Sequence, residues 1–172
     1  MNDDSSILKD ARDQLNLVLS FFPRVDAKLS TILAIDTAML ATMSAGVPDT
    51  KSLSPWIAVC PVLTTLLIAM SYFHLYKGGF PDLNGGHSSL IYFKDIASRN
   101  EARFVEEYRQ QTIESRTGDV LGQVWRNAEI LKAKFHSLRL AFITMACAAI
   151  PWSITLAVFA IHKANIKITV SN

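Results

Sequence analysis

Residues 52–76 read SLSPWIAVCPVLTTLLIAMSYFHLY and contain no Lys, Arg, Asp or Glu. A second uncharged stretch, LAFITMACAAIPWSITLAVFAIH, occupies residues 140–162. Both are of membrane-spanning length, because the hydrocarbon core of a bilayer needs about 20 helical residues at a rise of roughly 1.5 Å each. The sequence therefore predicts two membrane-spanning helices, at about residues 55–76 and 138–162.

A weaker apolar stretch, LSTILAIDTAMLATMSAGV, precedes them at residues 29–47 and contains one ionisable side chain, Asp36. Pro48 and Asp49 mark a turn after it, so the economical interpretation is a transmembrane helical hairpin at residues 29–76. The composition agrees, since 50% of the 172 residues are hydrophobic, which is more than a soluble domain usually carries. The predicted fold class is an all-α integral membrane protein with three transmembrane helices.

Basic residues near the span ends predict the orientation, because such residues are retained on the cytoplasmic side of a membrane. Only Lys51 lies in the connection between the first two spans, whereas residues 77–139 contain ten Lys or Arg. We therefore expect residues 1–28 and a sensor or helical region at 77–137 to be cytoplasmic, and the tail at 163–172 to be periplasmic.

The segment before the first span is predicted to be an amphipathic helix. Its apolar residues recur at three- and four-residue steps up to about Phe22, before Pro23 interrupts the helix. This helix either lies on the membrane surface or packs on the other cytoplasmic helices, and its acidic residues favour packing on protein.

The second cytoplasmic segment begins with turn-forming residues. Residues 78–87 predict a loop from Gly78 onward, and a phosphate cradle there would lack the Gly-Lys-Ser/Thr ending of a P-loop. The sequence LIYFKDIA at residues 90–97 fits either a short strand or a helical turn. A helix is predicted from Asn100 to about Glu114.

A further helix is predicted to begin at Thr117 and to continue into the third span, because helical apolar spacing persists and no Gly or Pro lies between Trp125 and Ile150. Its expected length is about forty residues, or about 60 Å, so it would join the cytoplasm mechanically to the bilayer. Pro151 falls within this helix, where it is either a tolerated kink or a functional hinge.

The cytoplasmic segment carries the ingredients of an anion-binding site. The candidate residues are Arg99, Arg103, Arg126, Lys134 and Trp125. Guanidinium groups chelate phosphate bidentately, and aromatic faces stack on planar rings. The alternative is that these cations form ordinary surface pairs with nearby glutamates.

Other chemistry has no support in the sequence. Its four histidines are dispersed, the motifs of hydrolases and metalloproteases do not occur, and Cys60 and Cys147 lie inside predicted spans as small packing residues. We therefore expect neither catalysis nor a metal site.

Asp36 is a candidate functional residue within the membrane, because a carboxylate near the bilayer midplane costs about a few kcal/mol on insertion scales. It is either neutralised, by protonation or by hydrogen bonds to Thr64, Thr65 or Ser71 on the second span, or it meets its copies in an oligomer and lines a path through the membrane. Asp36 and Pro151 are thus the intramembrane candidates.

The chain resembles a known family in two regions. VDAKLSTILAIDTAML at residues 25–40 is similar to the "DxKxxxLLxIDxxxL" opening of small bacterial antiphage membrane effectors of the Pycsar type. YFKDIA and the later NAEILKAKFHSLRLAF, at residues 127–142, are similar to the second landmark of that family. The resemblance extends from about Leu15 to Leu156 and includes the order of the spans.

The resemblance implies an effector that senses cyclic CMP or cyclic UMP made by a partner pyrimidine cyclase and then impairs the bacterial inner membrane, which causes abortive infection. The expected ligand is this second messenger, and the other expected partners are membrane lipid and further copies of the chain, because a three-span monomer encloses little lumen. No cofactor and no nucleic-acid partner is expected. The alternative is a constitutive scaffold or interaction subunit of a membrane complex.

Overall fold

A computed structural model describes residues 2–47, 55–80 and 89–170, with side chains described over 4–47, 56–80 and 89–164. Every regular element in these ranges is helical. A short 3₁₀ turn, Pro55–Ala58, precedes the third of six α-helices, which are α1 (Asn2–Leu19), α2 (Phe21–Gly46), α3 (Val59–Gly79), α4 (Phe93–Ala97), α5 (Glu101–Gln110) and α6 (Ile113–Val170). The predicted all-α class is confirmed.

The break between α1 and α2 falls at Ser20, three residues before Pro23. A proline ring clashes with the carbonyl four residues earlier and removes a backbone donor, so a helix ends just before it. In the first turn of α2 the missing N–H of proline costs no helical hydrogen bond, because the residue four positions earlier is not part of that helix. Pro23 is therefore accommodated in the first turn of a second helix, which begins at Phe21 and continues through the predicted first span.

The predicted loop does not begin at Gly78, because α3 includes Gly78 and Gly79. Gly78 lies against Leu29 and Ser137, where an added Cβ would come within 3.2 Å of each side chain. The glycine permits close helix packing here rather than a turn. The rest of the predicted loop and its phosphate-cradle alternative, residues 81–88, lie outside the described residues.

Two of the helices that follow differ from their predicted limits: α5 ends earlier than predicted, and α6 begins earlier than predicted. Residues 93–97 form α4, which settles the choice between strand and helical turn, and α5 ends at Gln110 instead of Glu114. The long helix begins at Ile113 rather than at Thr117, because the Thr112 hydroxyl accepts from the Ser115 N–H at 3.2 Å and acts as the cap.

The long helix is continuous, as predicted, but it is longer than predicted. α6 has 58 residues and includes Pro151. The Thr155 hydroxyl donates to the Pro151 carbonyl at 2.7 Å and is itself buried. This bond satisfies a buried hydroxyl inside an apolar helix, where an unpaired polar group is costly.

The chain forms two compact units. The polar unit comprises residues 1–25 and 81–134, and the span unit comprises residues 26–80 and 135–172. The polar unit includes the amphipathic helix α1, whose Ala11 is buried. This grouping agrees with the expectation that α1 packs on protein.

The span unit is a three-helix bundle. Each of three levels brings together one residue from α2, one from α3 and one from α6: Leu29, Gly78 and Ser137; Asp36, Ser71 and Ala141; and Met39, Ile68 and Ala148. The residue numbers rise together along α2 and α6 and fall along α3, so α2 and α6 run parallel and α3 runs antiparallel to them. A chain that crosses a membrane three times has this topology.

Three helical segments are long and apolar enough to cross a membrane. They are Asp4–Gly46, Trp56–Gly79 and Ile113–Ala164. Their apolar windows agree with the three predicted spans, and much of their apolar surface is exposed in the isolated chain. Acyl chains of a bilayer are the environment that such a surface requires.

Candidate functional site: a polar cavity pair and a buried carboxyl

Ser89 organises the turn that leads into α4. Its hydroxyl oxygen accepts from the N–H groups of Ile91 at 3.1 Å and Tyr92 at 3.0 Å, and from the buried side-chain amide of Gln123 at 3.2 Å. Its own N–H donates to Asp95 at 2.9 Å. These bonds join the turn to α4 and α6 and leave the backbone donors of the turn satisfied.

Asp119 makes the second link between this turn and α6. Its carboxylate accepts from the Leu90 N–H at 2.8 Å. The sequence analysis did not identify Ser89, Asp119 or Gln123. The available signal was a serine four residues before Phe93, the first residue of α4, since such a hydroxyl commonly accepts from the next backbone donors.

Arg99 is a candidate from the sequence, and its side chain is only 9% exposed. It donates to Glu107 at 2.8 Å, to the Ser89 carbonyl at 3.1 Å and to the Asp95 carbonyl at 2.6 Å. A guanidinium with this many partners holds the turn against α5. Arg99 therefore has a structural part in the site.

Arg103 contacts the same glutamate from the solvent side. Its side chain is 69% exposed and lies 2.7 Å from the second oxygen of Glu107. The hydrogen bonds from Arg103 and Arg99 lower the pKa of the Glu107 carboxyl below its usual range. Arg103 is thus the more exposed cation of the two, and exposed ion pairs contribute little stability and are easily exchanged.

Two cavities lie beside the Ser89 turn. The arginine cavity has a volume of about 500 Å³ and is lined by Ser89, Leu90, Arg99, Arg103, Glu107, Gln110, Gln111, Ser115 and Asp119. The tryptophan cavity has a volume of about 290 Å³ and is lined by Ser89, Gly118, Asp119, Gly122, Gln123, Trp125 and Arg126. Ser89 and Asp119 form the wall that the two cavities share.

The structure divides the five predicted residues among three places. Arg99 and Arg103 line the arginine cavity, and Trp125 and Arg126 line the tryptophan cavity. The Arg126 guanidinium lies 5.8 Å from the centre of the Trp125 ring and 3.5 Å from Glu129. Lys134 lines neither cavity; it is 5% exposed, with its ammonium 5.9 Å from the centre of the Phe22 ring.

The span unit holds one fully buried carboxyl. Asp36 is 0% exposed, and Ser71 Oγ lies 2.6 Å from its Oδ2 and 3.2 Å from the Ala141 carbonyl. Asp36 Oδ1 has no hydrogen-bond partner among the described residues. Of the three partners that the sequence offered, Ser71 is the one that Asp36 contacts.

The Ser71 hydroxyl has one hydrogen, and two acceptors lie beside it. It donates to Asp36 Oδ2 at 2.6 Å, and the Ala141 carbonyl lies 3.2 Å away. That carbonyl also accepts from the Thr144 hydroxyl at 2.9 Å, so it keeps a donor when the serine hydrogen points to Asp36. Ser71 thus joins the three helices of the bundle at the level of Asp36.

Among the residues whose side chains are described, no three His, Cys, Asp or Glu side chains come together as a metal site would require.

These features define a helical membrane protein with three spans and a polar, cavity-bearing unit in the same chain. The chain belongs to the Pycsar effector family, because the model of the Pycsar effector protein domain matches residues 10–161. This confirms the resemblance seen in the sequence and makes the protein a member of an antiphage effector family. No curated protein and no solved structure matches the chain.

Proposed function

We propose that this chain senses a cyclic pyrimidine mononucleotide, cyclic CMP or cyclic UMP, made by a partner cyclase, and that it then impairs the bacterial inner membrane and ends the infected cell. The observation that carries this proposal is the family match across residues 10–161, which includes both units. The amino terminus and the polar unit lie in the cytoplasm, where the basic residues are concentrated.

The arginine cavity is the proposed nucleotide site. Its volume of about 500 Å³ is within the range of about 300–1,000 Å³ usual for small-molecule sites. Gln110, Gln111 and Ser115 supply donors and acceptors for the edge of a pyrimidine. The cyclic phosphate replaces Glu107 as the hydrogen-bond acceptor of Arg103. Arg99 keeps its bonds to the backbone carbonyls and so holds the Ser89 turn, which forms one wall of the cavity, in place.

The tryptophan cavity is the second candidate site, and Trp125 favours it because an exposed indole can stack on a base. Its volume is smaller, and one guanidinium lines it, that of Arg126, whereas Arg99 and Arg103 both line the arginine cavity. Gly118 and Gly122 form part of its lining, and an added Cβ at either position would meet no atom within 4 Å. A larger side chain there would fill this cavity without removing any contact.

The response follows from the continuity of α6. Ser115 and Asp119 of the arginine cavity lie on the same helix as the third span. A ligand that repositions the start of this helix acts on an element that continues into the membrane. Because three spans enclose little lumen, the membrane-active form is an oligomer.

The test is a thermal-shift panel of cyclic mononucleotides on the full-length protein in detergent, since a ligand that binds the folded state raises its stability. Cyclic CMP or cyclic UMP should raise the melting temperature, and cyclic AMP should not. Arg103→Gln should weaken binding at least about tenfold, which is about 1.4 kcal/mol. Arg109→Gln is the matched control, because Arg109 lies on the same helix, is exposed and lines neither cavity.

A third variant shows which of the two cavities binds the nucleotide. Gly122→Leu should leave binding unchanged if the arginine cavity is the site and abolish it if the tryptophan cavity is the site. A protein that none of the cyclic nucleotides stabilises would contradict the sensing proposal. That result, with no cyclase gene beside this one, would favour the alternative of a constitutive scaffold subunit.

A further inference from the structure

The span unit has an apolar groove between α2 and α6. Its volume is about 500 Å³, and its walls include Ile32 and Ile35 from α2 and Phe142 and Met145 from α6. The groove is independent of the nucleotide cavities, since all the residues that line it belong to the span unit.

Two cations line this groove, Lys28 on α2 and Arg139 on α6. Lys28 and Arg139 are both exposed, and neither has a hydrogen-bond or ion-pair partner within the described part of the chain. No carboxylate lines the groove. Two cations without a counter-ion beside an apolar wall favour an anion that carries an apolar tail.

The direction of the helices places both cations in the same half of the groove. α2 and α6 run parallel, so the lining extends from Lys28 to Ile35 along α2 and from Phe135 past Arg139 to Met145 along α6. Lys28 lies about 10 Å before Ile35, and Arg139 lies about 9 Å before Met145, along each helix axis at a rise of about 1.5 Å per residue. By the expected orientation, the half with the cations faces the cytoplasmic surface and the other half lies within the hydrocarbon.

We propose that this groove binds one anionic phospholipid, with its phosphate on Lys28 and Arg139 and an acyl chain along the apolar walls. Charge complementarity argues for this occupant, and so does the continuity of the groove with the exposed apolar surface at Ile35 and Phe142. A free cyclic nucleotide would leave the apolar walls uncovered. A second copy of the chain would need to bring its own acidic group to the two cations.

The bound lipid bridges the first and third spans at the cytoplasmic end of the bundle. It thereby stabilises the closed arrangement in which Asp36, Ser71 and Ala141 are in contact. A membrane that lacks anionic lipid should therefore hold a less stable protein.

Native mass spectrometry of the full-length protein in detergent, titrated with phosphatidylglycerol or with phosphatidylcholine, tests the proposal. The double variant Lys28→Gln/Arg139→Gln should bind phosphatidylglycerol at least about tenfold more weakly, with phosphatidylcholine binding unchanged. Lys77→Gln is the matched control, because Lys77 is a cation at the end of α3 that lies over the Phe73 ring, outside the groove. It should bind as the wild type does.

A second variant tests the acyl part and keeps both cations. Ile35 is exposed on the groove wall, so Ile35→Trp should fill the groove and displace phosphatidylglycerol. Equal affinity for the two lipids in the wild type, or unchanged phosphatidylglycerol binding in either the double variant or Ile35→Trp, would overturn the proposal. Displacement of the lipid by cyclic CMP would assign the groove to the nucleotide, and dimer formation on delipidation would assign it to a second copy.

Discussion

The polar unit and the span unit differ in how completely their buried or bonded carboxyl groups are hydrogen-bonded. In the polar unit, Asp95 and Asp119 accept from backbone N–H groups, and both oxygens of Glu107 accept from guanidinium groups. In the span unit, Asp36 has one serine hydroxyl and one oxygen without a partner among the described residues. Charges that are fully hydrogen-bonded hold a fold together, whereas a half-satisfied buried carboxyl costs stability. We therefore expect Asp95, Asp119 and Glu107 to be structural and Asp36 to be functional.

The largest expected effect on stability is at Arg99, whose guanidinium group donates to Glu107 and to the backbone carbonyls of Ser89 and Asp95. Arg99→Ala should destabilise the polar unit by about 2 kcal/mol, because it removes the guanidinium donor of the Ser89 carbonyl and one of the donors of Glu107. Glu107 keeps its hydrogen bond from Arg103, and the Asp95 carbonyl keeps its hydrogen bond from the Ser98 hydroxyl. Hydrogen exchange at the Ile91 and Tyr92 amides measures this, since both donate to Ser89 within the same network.

Arg103→Ala is the control variant, because it removes a cation that contacts the same glutamate as Arg99 but is exposed to solvent. Both arginines contact Glu107, but the Arg103 side chain is 69% exposed and that of Arg99 is 9% exposed. We expect a loss below about 1 kcal/mol for the exposed pair. Equal losses in the two variants would mean that burial does not decide the role of these cations, and the contrast between the units would fail on that side.

The next effect is at Asp36 and concerns activity more than stability. Asp36→Asn keeps the shape and a donor for Ser71, so the unfolding free energy should change by less than about 1 kcal/mol. Depolarisation of the membrane on nucleotide addition should be lost, because the amide cannot release a proton or carry a charge. Potential-sensitive dye in cells that express the partner cyclase reports this loss.

Asp36→Leu extends the test by removing polarity altogether. The site is fully buried, so the larger side chain could cost about 1–3 kcal/mol through overpacking. Its accumulation in the membrane must therefore be measured beside its toxicity. Full depolarisation by either variant would assign Asp36 to the structure alone. Failure of Asp36→Asn to accumulate would likewise favour a structural role.

Hydropathy and local chemistry were enough to predict most of the fold. The span lengths follow from uncharged runs, and the continuity of α6 follows from unbroken apolar spacing. The errors concern packing and caps: Gly78 reads as a turn former until Leu29 and Ser137 are seen against it. Thr112 and Thr117 are equally good caps in the sequence, and only the backbone shows which one precedes the helix.

The candidate site was less predictable than the fold, because its two cavities are formed by residues that are distant in the sequence. The type of residue was predictable, since Arg99 and Arg103 both line one cavity. Their division into a buried and an exposed member was not, because it depends on where the Ser89 turn meets α5 and α6. Lys134 looked equivalent to them in sequence, but its depth in the polar unit is set by packing that no local pattern records.

The smallest expected effect is the pH dependence of the polar unit, which tests whether its acids are structural. Hydrogen bonds from Arg103 and Arg99 lower the pKa of Glu107 in the folded chain below its ordinary value of 4.5. A carboxyl of this kind stabilises the folded state above its unfolded pKa, and the contribution is lost as the pH falls through the folded pKa. Glu107→Gln should therefore flatten the fall in hydrogen-exchange protection of the Ser89 turn below about pH 4.5. Glu106→Gln should not, because among the described residues Glu106 accepts from the neutral Gln110 amide and from no cation. An identical acid response in both variants and the wild type would show that the Glu107 pair contributes no pH-dependent stability, which would place it with the surface pairs that exchange freely with solvent.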